Sequence, residues 1–242
     1  MSLDKIFKHR GKTAPVKEEE HWIPLSDLMS GLMMMFMLIA VVFMVKVEHD
    51  AKKVKDIAVI YDQMRAQLYQ DLHKEFEKDL PGWGAELDHD LALRFKEPKV
   101  LFDTGDDKLK PRFIEILNDF FPRYVRILSA DKYKDAIEEI RIEGHTSSTW
   151  NGGSSTNEAY FLNMALSQSR TRTTLEYVLT LPQVHDQQDW LRKHLTANGL
   201  SSSKLLFNPD GFENVEGSQR VEFRVRTNAD ARIAEILKTV QK

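Results

Sequence analysis

The sequence contains no cysteine. This absence excludes thiol catalysis, cysteine-ligated zinc and disulfide bonds. A strong excess of one charge is also missing, because 34 basic and 37 acidic residues give a formal net charge of -3. A near-neutral chain has no overall attraction to nucleic acid. The 242 residues suit one folded domain of roughly 100 to 150 residues together with a further segment.

Sequence motifs of common enzyme classes are missing as well. The eight histidines form no H-E-x-x-H spacing, and neither G-x-S-x-G nor G-x-x-x-x-G-K-[ST] occurs. We therefore predict that the protein is not an enzyme. We also predict no catalytic residues, no metal ligands and no cofactor.

Charge is absent from one long apolar run between Leu28 and Val45, which is rich in methionine. A helix rises about 1.5 Å per residue, so this run is about long enough to cross a bilayer core of roughly 30 Å. The run ends at Lys46 without the small-residue cleavage site of a secretory signal. We predict a retained transmembrane helix over residues 23–46 after a tail over residues 1–22. The alternative is the buried core helix of a soluble domain.

One acidic residue, Asp27, stands at the head of this apolar run. With Pro24 at the first helical position, Asp27 would lie in the first turn. Ser26 or Asp27 could cap the helix there, because a short acceptor satisfies free N–H groups. Asp27 could instead bind and release a cation as its surroundings change. Ser26 and Ser30 form a small-x-x-x-small pair, which is typical of close helix approach and indicates a dimer.

Glycine and proline are missing between Leu32 and Leu80. Apolar residues recur in the second half of this stretch at three- and four-residue steps, at Val47, Ala51, Val54, Ala58, Tyr61, Met64, Leu68, Leu72, Phe76 and Leu80. The spacing predicts a periplasmic linker helix over residues 47–82 that pairs with a second copy as a coiled coil. The alternative is an amphipathic helix that folds back on the globular domain or lies on the membrane surface.

Beyond Pro81 the apolar pattern changes to short alternating segments and further helical stretches. The pattern predicts strands near residues 91–95, 100–102, 140–142, 205–207 and 221–225. It predicts helices from residue 111, over 157–181 with a break at Ser167, over 186–198 and over 229–240. Such an alternation is typical of an α+β fold, an α/β sandwich with helices on one face of a small sheet.

Three motifs in this part resemble one family. They run from Ile140 to Thr146, from Asn163 to Arg170 and from Gln219 to Glu222. They are similar to the G-H-T-D strand end, the N-x-x-L-S-x-x-R-A helix and the N-R-R-V-E closing strand of OmpA-like peptidoglycan-binding domains. The stretch from Phe102 to Gly105 resembles the opening strand of that family. The resemblance implies an OmpA-like domain over residues 83–242.

The same resemblance implies which residues bind peptidoglycan, namely Thr146, Ser147, Asn163, Leu166, Ser167 and Arg170. Arg170 would pair with a carboxylate of the stem peptide, and His145 would be structural. Ser147 departs from the family, where an aspartate holds the ammonium group of diaminopimelate. A serine can accept a hydrogen bond but supplies no charge. The preference for diaminopimelate therefore stays open, while binding to the cell wall is predicted.

A single membrane span headed by an aspartate and followed by this domain resembles MotB-like stator subunits. The motif Trp22-x-x-x-Ser26-Asp27-Leu28-Met29 is more similar to the sequences of ZorB subunits of Zorya anti-phage systems than to those of flagellar proteins. The resemblance implies a homodimer inside a ring of a multi-pass MotA- or ZorA-like subunit in the bacterial inner membrane. The N-terminus would be cytoplasmic, the C-terminal domain periplasmic, and Asp27 would translocate H⁺ or Na⁺. A flagellar stator subunit and a passive membrane-to-wall tether are the alternatives.

Overall fold

A computed structural model describes residues 22–96 and 98–228. The predicted helix over residues 229–240 and nearly all of the predicted tail lie outside these residues. The chain divides into two compact units, Met1–Lys53 and Val54–Lys242.

A single long helix, α1, begins in the first unit and extends from Trp22 to Phe76. Its side chains from Leu25 to His49 are exposed. In the described chain, one helix is long and apolar enough to cross a membrane, with a mean hydropathy of 2.6 in its most apolar window. This apolar helix agrees with the predicted single span.

A five-stranded sheet forms the frame of the second unit. The strands are β1 Ala85–Leu87, β2 Ala92–Phe95, β3 Ile137–His145, β4 Leu195–Gly199 and β5 Arg220–Thr227. Their order across the sheet is β1-β2-β5-β3-β4. Strands β3 and β4 are parallel, and the other neighbours are antiparallel. The last of the strands in the described residues therefore lies in the middle of the sheet.

Helices join these strands and cover the sheet. After α1 they are α2 Pro98–Leu101, α3 Pro111–Leu128, α4 Thr156–Leu179, α5 Gln188–His194 and α6 Val215–Ser218, with 3₁₀ turns at Pro81–Trp83 and Pro182–Gln187. Helix α3 packs on the sheet through Phe120, whose ring centroid lies 5.4 Å from that of Phe95 and 5.1 Å from that of Phe223. The predicted α+β architecture is confirmed.

The last turns of α1 belong to the core of the second unit. Leu68, Leu72 and Phe76 are fully buried there, and Leu80 is nearly so. These residues were predicted to lie in the seam of a coiled coil, and that part of the prediction is wrong. The same three- and four-residue spacing builds a seam between two copies and an apolar face against a sheet. For the C-terminal turns of α1, the alternative is correct, namely a helix that packs on its own domain.

Several local predictions also need correction. Residues 98–101 form α2 instead of a strand, because Pro98 is favoured at the first position of a helix and cannot donate in a sheet. Helix α4 continues through Ser167 without a break. Residues 195–199 form β4 instead of the end of a helix, because they pair with β3. Phe207 makes only an isolated bridge, with Glu213.

Candidate peptidoglycan-binding site

A pocket of about 300 Å³ lies beside the end of β3 and the first half of α4. All the predicted binding residues except Ser167 line it, namely Thr146, Ser147, Asn163, Leu166 and Arg170. The first two follow the end of the strand. The other three are spaced by three and four residues, which places them on one face of α4.

Ser167 is buried behind the pocket instead of lining it. Its hydroxyl donates to the carbonyl of Met164 over 3.0 Å and accepts from the backbone N–H of Ser201 over 3.1 Å. The bond from Ser201 fixes the chain after β4 against α4. The hydroxyl of Ser167 therefore serves the fold here, and contact between Ser167 and peptidoglycan stays a prediction.

The loop of residues 146–150 forms one wall of the pocket. The Asn163 side-chain amide donates to the carbonyl of Ser147 over 3.2 Å and to that of Thr149 over 3.1 Å. From the other side, the Glu213 carboxylate accepts from the backbone N–H of Ser148 over 2.9 Å and from the Ser148 hydroxyl. Asn163 thus positions the wall of the pocket, and only its carbonyl oxygen remains to serve a ligand.

Arg170 stands at the edge of this pocket with its charge unpaired. Its Nε donates to the carbonyl of Asp106 over 2.8 Å, and its Nη2 donates to that of Asp103 over 2.9 Å. The guanidinium lies 4.9 Å from the ring centroid of Phe102. Burial lowers the pKa of Arg170, and the negative charges of Asp106 and Asp107 partly oppose this change. Within the described chain Arg170 forms no ion pair, so a carboxylate is a suitable ligand.

A second pocket, of about 420 Å³, adjoins the first and is also lined by Arg170. Asp103 and Lys110 line it and form an ion pair of 2.9 Å. The two pockets share Arg170, Val215 and other lining residues. The two pockets therefore form one groove, and Arg170 lines both of its parts.

Six lining residues were not among the predicted site residues, namely Thr104, Gly105, Thr149, Trp150, Val215 and Gln219. Three of them had a signal in the sequence, because Thr104 and Gly105 belong to the opening motif and Gln219 begins the closing one. Trp150 lies three residues after Ser147. Val215 carries no sequence signal, since only the tertiary fold brings α6 to the groove.

A buried network of charges lies next to the groove, on the sheet. The carboxylate of Glu222 accepts from Arg220 Nε over 2.6 Å, from Arg224 Nη2 over 2.8 Å and from Arg94 Nε over 3.0 Å. The positive charges of His145, Arg220 and Arg94 lower the pKa of Glu222 to about 2, against the cost of burial. This network accounts for the closing Gln219–Glu222 motif, because it holds the beginning of β5 beside the groove.

The acidic groups of this network would be poor ligands for a metal cation. Glu143, His145 and Glu222 offer ligand atoms within 4.8 Å of one another. Both carboxylates already accept hydrogen bonds from Arg224, however. Burial lowers the pKa of His145, and its Nε2 lies 3.7 Å from Glu143 and 3.8 Å from Glu222, beyond hydrogen-bond distance. The donor set suits an internal ion network and does not fit a metal.

Asp27 lies farther inside α1 than the sequence suggested. The described helix begins at Trp22, so Pro24 is not its first residue and Asp27 lies in the second turn. The free N–H groups of a helix are confined to its first turn. Asp27 is therefore not a helix cap, and neither is Ser26, whose carbonyl accepts from the Ser30 hydroxyl over 2.8 Å. The Asp27 side chain is exposed on the single chain.

Three known proteins are similar to this chain. The Zorya protein ZorB of Escherichia coli is 45% identical over 238 residues, which cover 97% of this chain and 99% of that protein. A putative MotB-like protein from Desulfovibrio vulgaris covers 70% of this chain and 98% of its own, with 23% identity and a TM-score of 0.50. The periplasmic domain of Helicobacter pylori MotB (residues 78–256) has 18% identity and a TM-score of 0.41, covering 61% of this chain and 84% of that one.

No protein-family profile matches the chain. The D. vulgaris structure supports the fold, and the identity to E. coli ZorB extends over the apolar helix and the groove alike. An identity of this size over nearly the whole of both chains shows the family. The chain belongs to the ZorB family.

Proposed function

We propose that this chain is the ion-carrying, wall-anchored subunit of an inner-membrane motor of the Zorya anti-phage type. Two copies pair inside a ring of a ZorA-like multi-pass subunit. Ion passage through Asp27 drives the ring, while the wall-bound domains hold the dimer still. The 45% identity to ZorB favours the Zorya alternative over the flagellar one. This is a mechanical role and not an enzymatic one.

The position of Asp27 is the observation that carries this proposal. A carboxylate in the second turn of an exposed apolar helix caps nothing, and its charge is costly within a membrane unless it faces water or a partner. Ionisable residues in such places serve ion pathways. One charge crossing the membrane potential releases about 2.3 kcal/mol per 100 mV, which is enough to drive a conformational cycle. H⁺ and Na⁺ both remain candidates.

The groove supports the anchoring half of the proposal. It presents the unpaired guanidinium of Arg170 among Thr146, Ser147 and Leu166, as a site for a stem-peptide carboxylate requires. Because peptidoglycan lies in the periplasm, we place the domain there and the N-terminus in the cytoplasm. A passive tether would need the groove but not the carboxyl group of Asp27.

The substitution Asp27→Asn tests the motor directly, because an amide keeps the size of the side chain but cannot be titrated. We expect Asp27→Asn to abolish phage protection in a cell that carries the complete defence system. Membrane levels of the protein, measured by immunoblot, should be unchanged. Asp56→Asn is the matched control, since Asp56 is exposed on the same helix beyond the apolar run, and this variant should protect fully. Full protection by Asp27→Asn would leave the passive tether as the function.

The substitution Arg170→Ala tests the anchor. Sedimentation of the detergent-solubilised chain with isolated peptidoglycan sacculi should weaken by about 10-fold to 100-fold, the cost of a charge-assisted hydrogen-bonded pair. Arg172→Ala is the matched control, because Arg172 is exposed on the same helix and its ion-pair partner among the described residues is Glu176. Unchanged sedimentation of a folded Arg170→Ala protein would remove the groove from the proposal.

A further inference from the structure

We infer that Trp150 forms a stacking platform for the amino-sugar rings of the glycan strand. The inference rests on the proposed wall-binding function of the groove and adds a second ligand class to it. Arg170 receives the carboxylate of the peptide, and Trp150 receives the sugar to which the peptide is attached.

Trp150 lines the same pocket as Ser147, Asn163 and Arg170. It remains 37% exposed, although tryptophan is among the most costly residues to leave in water. Over the described residues its indole makes no ring contact and no hydrogen bond. A large aromatic side chain that opens into a binding pocket without a partner of its own is suited to contact a ligand.

The backbone on both sides of Trp150 is fixed. Before it, Asn163 holds the carbonyls of Ser147 and Thr149. After it, the Asn151 side chain accepts from the Ser154 hydroxyl over 2.7 Å and from the backbone N–H of Gly153 over 3.4 Å. A platform that is already ordered loses little conformational entropy when a ligand binds.

The chemistry of the pocket fits an N-acetylated amino sugar. One face of a pyranose ring carries only C–H groups, which pack on the electron-rich face of an indole, and the indole N–H can donate to a hydroxyl or acetamide oxygen. Leu166 and Val215 supply apolar contacts for the acetyl methyl group, and Gln219 supplies a polar one. Because Ser147 lacks the charge of the family aspartate, contact with the sugar offsets the affinity that the peptide site loses.

Titration of three ligands against the full chain in detergent distinguishes binding at the sugar subsite from binding at the peptide subsite. The ligands are intact sacculi, glycan strands freed of stem peptides by an amidase, and the free stem peptide. We expect Trp150→Ala to lower the affinity for sacculi and for bare glycan by about three- to tenfold, with the stem peptide unaffected. Trp150→Phe should retain most of the affinity, because it keeps an aromatic face.

Phe161→Ala is the matched control, since Phe161 is an aromatic residue of α4 that is 70% exposed and lies outside the pocket. It should bind all three ligands like the parent chain. Equal binding of bare glycan by the parent and by Trp150→Ala would overturn the inference, as would no binding of bare glycan by the parent. Failure of the parent chain to bind sacculi would instead overturn the proposed wall-binding function.

Discussion

Glu222 carries its charge in a site where water does not reach it, because guanidinium groups from two strands surround it. Breaking a buried charge network by removing one partner is costly, since the remaining charges stay buried without compensation. The closing motif, which resembles that of OmpA-like domains, therefore has a structural role. It stabilises the start of β5, directly after Gln219, which lines the groove.

The substitution Glu222→Gln should therefore reduce the free energy of unfolding by about 3 kcal/mol near neutral pH. Folding lowers the pKa of Glu222 from 4.5 to about 2. A lowered pKa stabilises the fold above the unfolded-state value and loses this effect as the pH falls toward the folded-state value. The difference between parent and variant should shrink from pH 4.5 towards pH 2, as measured by urea denaturation of the solubilised chain.

Glu115→Gln provides the control for this series, because Glu115 pairs with Arg112 on the exposed side of α3. Surface pairs contribute only about 0 to 1 kcal/mol, so this variant should unfold like the parent at every pH. A Glu222→Gln variant that keeps the same deficit in acid would show that lost packing, and not lost charge, causes its instability.

Among the elements, α1 combines two environments along one helix. Its apolar first half is exposed on the single chain, and its last turns pack into the globular core. Arg123 of α3 contacts the C-terminal end of α1. Its Nε donates to the Glu75 carboxylate and its Nη2 to the Glu75 carbonyl, each over 2.8 Å, and its guanidinium lies 4.9 Å from the ring centroid of Phe76. Any pairing between two copies is therefore confined to the part of α1 before the core.

Single cysteines in this cysteine-free chain test which part of α1 pairs with a second copy. Cysteine in place of the half-buried Val54 should crosslink two copies in the membrane, because this position lies on the predicted seam. Cysteine in place of Leu68 should not, since Leu68 is fully buried in its own domain. Asp56→Cys, on the exposed side of the helix, should crosslink poorly. Equal yields at Val54 and Asp56 would argue against a defined seam.

The elements that the sequence predicted well are those whose own pattern is strong. Helix α3 begins at Pro111 as predicted, and β3 and β5 contain the strands predicted near residues 140–142 and 221–225. Strand β4 could not be predicted, because only pairing with β3 distinguishes it from the end of a helix. The groove was largely predictable from the Asn163–Arg170 motif. The roles of Ser167 and Trp150 depended on contacts between distant segments and were not.

At the scale of the whole molecule, the globular domain extends farther towards the N-terminus than residue 83. Leu68, Leu72 and Phe76 supply part of its core. Burying one such side chain contributes about 1.5 to 3 kcal/mol, and three of them approach the entire stability of an ordinary domain. We propose that the folded domain begins near Val54, where the second compact unit starts.

Two fragments test this boundary by thermal denaturation, followed by circular dichroism. The fragment of residues 54–242 should unfold cooperatively. The fragment of residues 83–242 should aggregate or show no cooperative transition, because it would expose the core residues that Leu68, Leu72 and Phe76 cover. Equal midpoints for both fragments would show that α1 contributes nothing to the stability of the domain.

The place of β5 has a consequence for how the protein is made. This strand lies between β2 and β3, yet among the described strands it is the last to be synthesised. Until residue 227 has been synthesised, the two halves of the sheet share no common neighbour and their inner edges remain unpaired. The sheet therefore cannot be completed segment by segment during synthesis. One late step joins its two halves, and a premature stop before β5 would leave two open sheet edges.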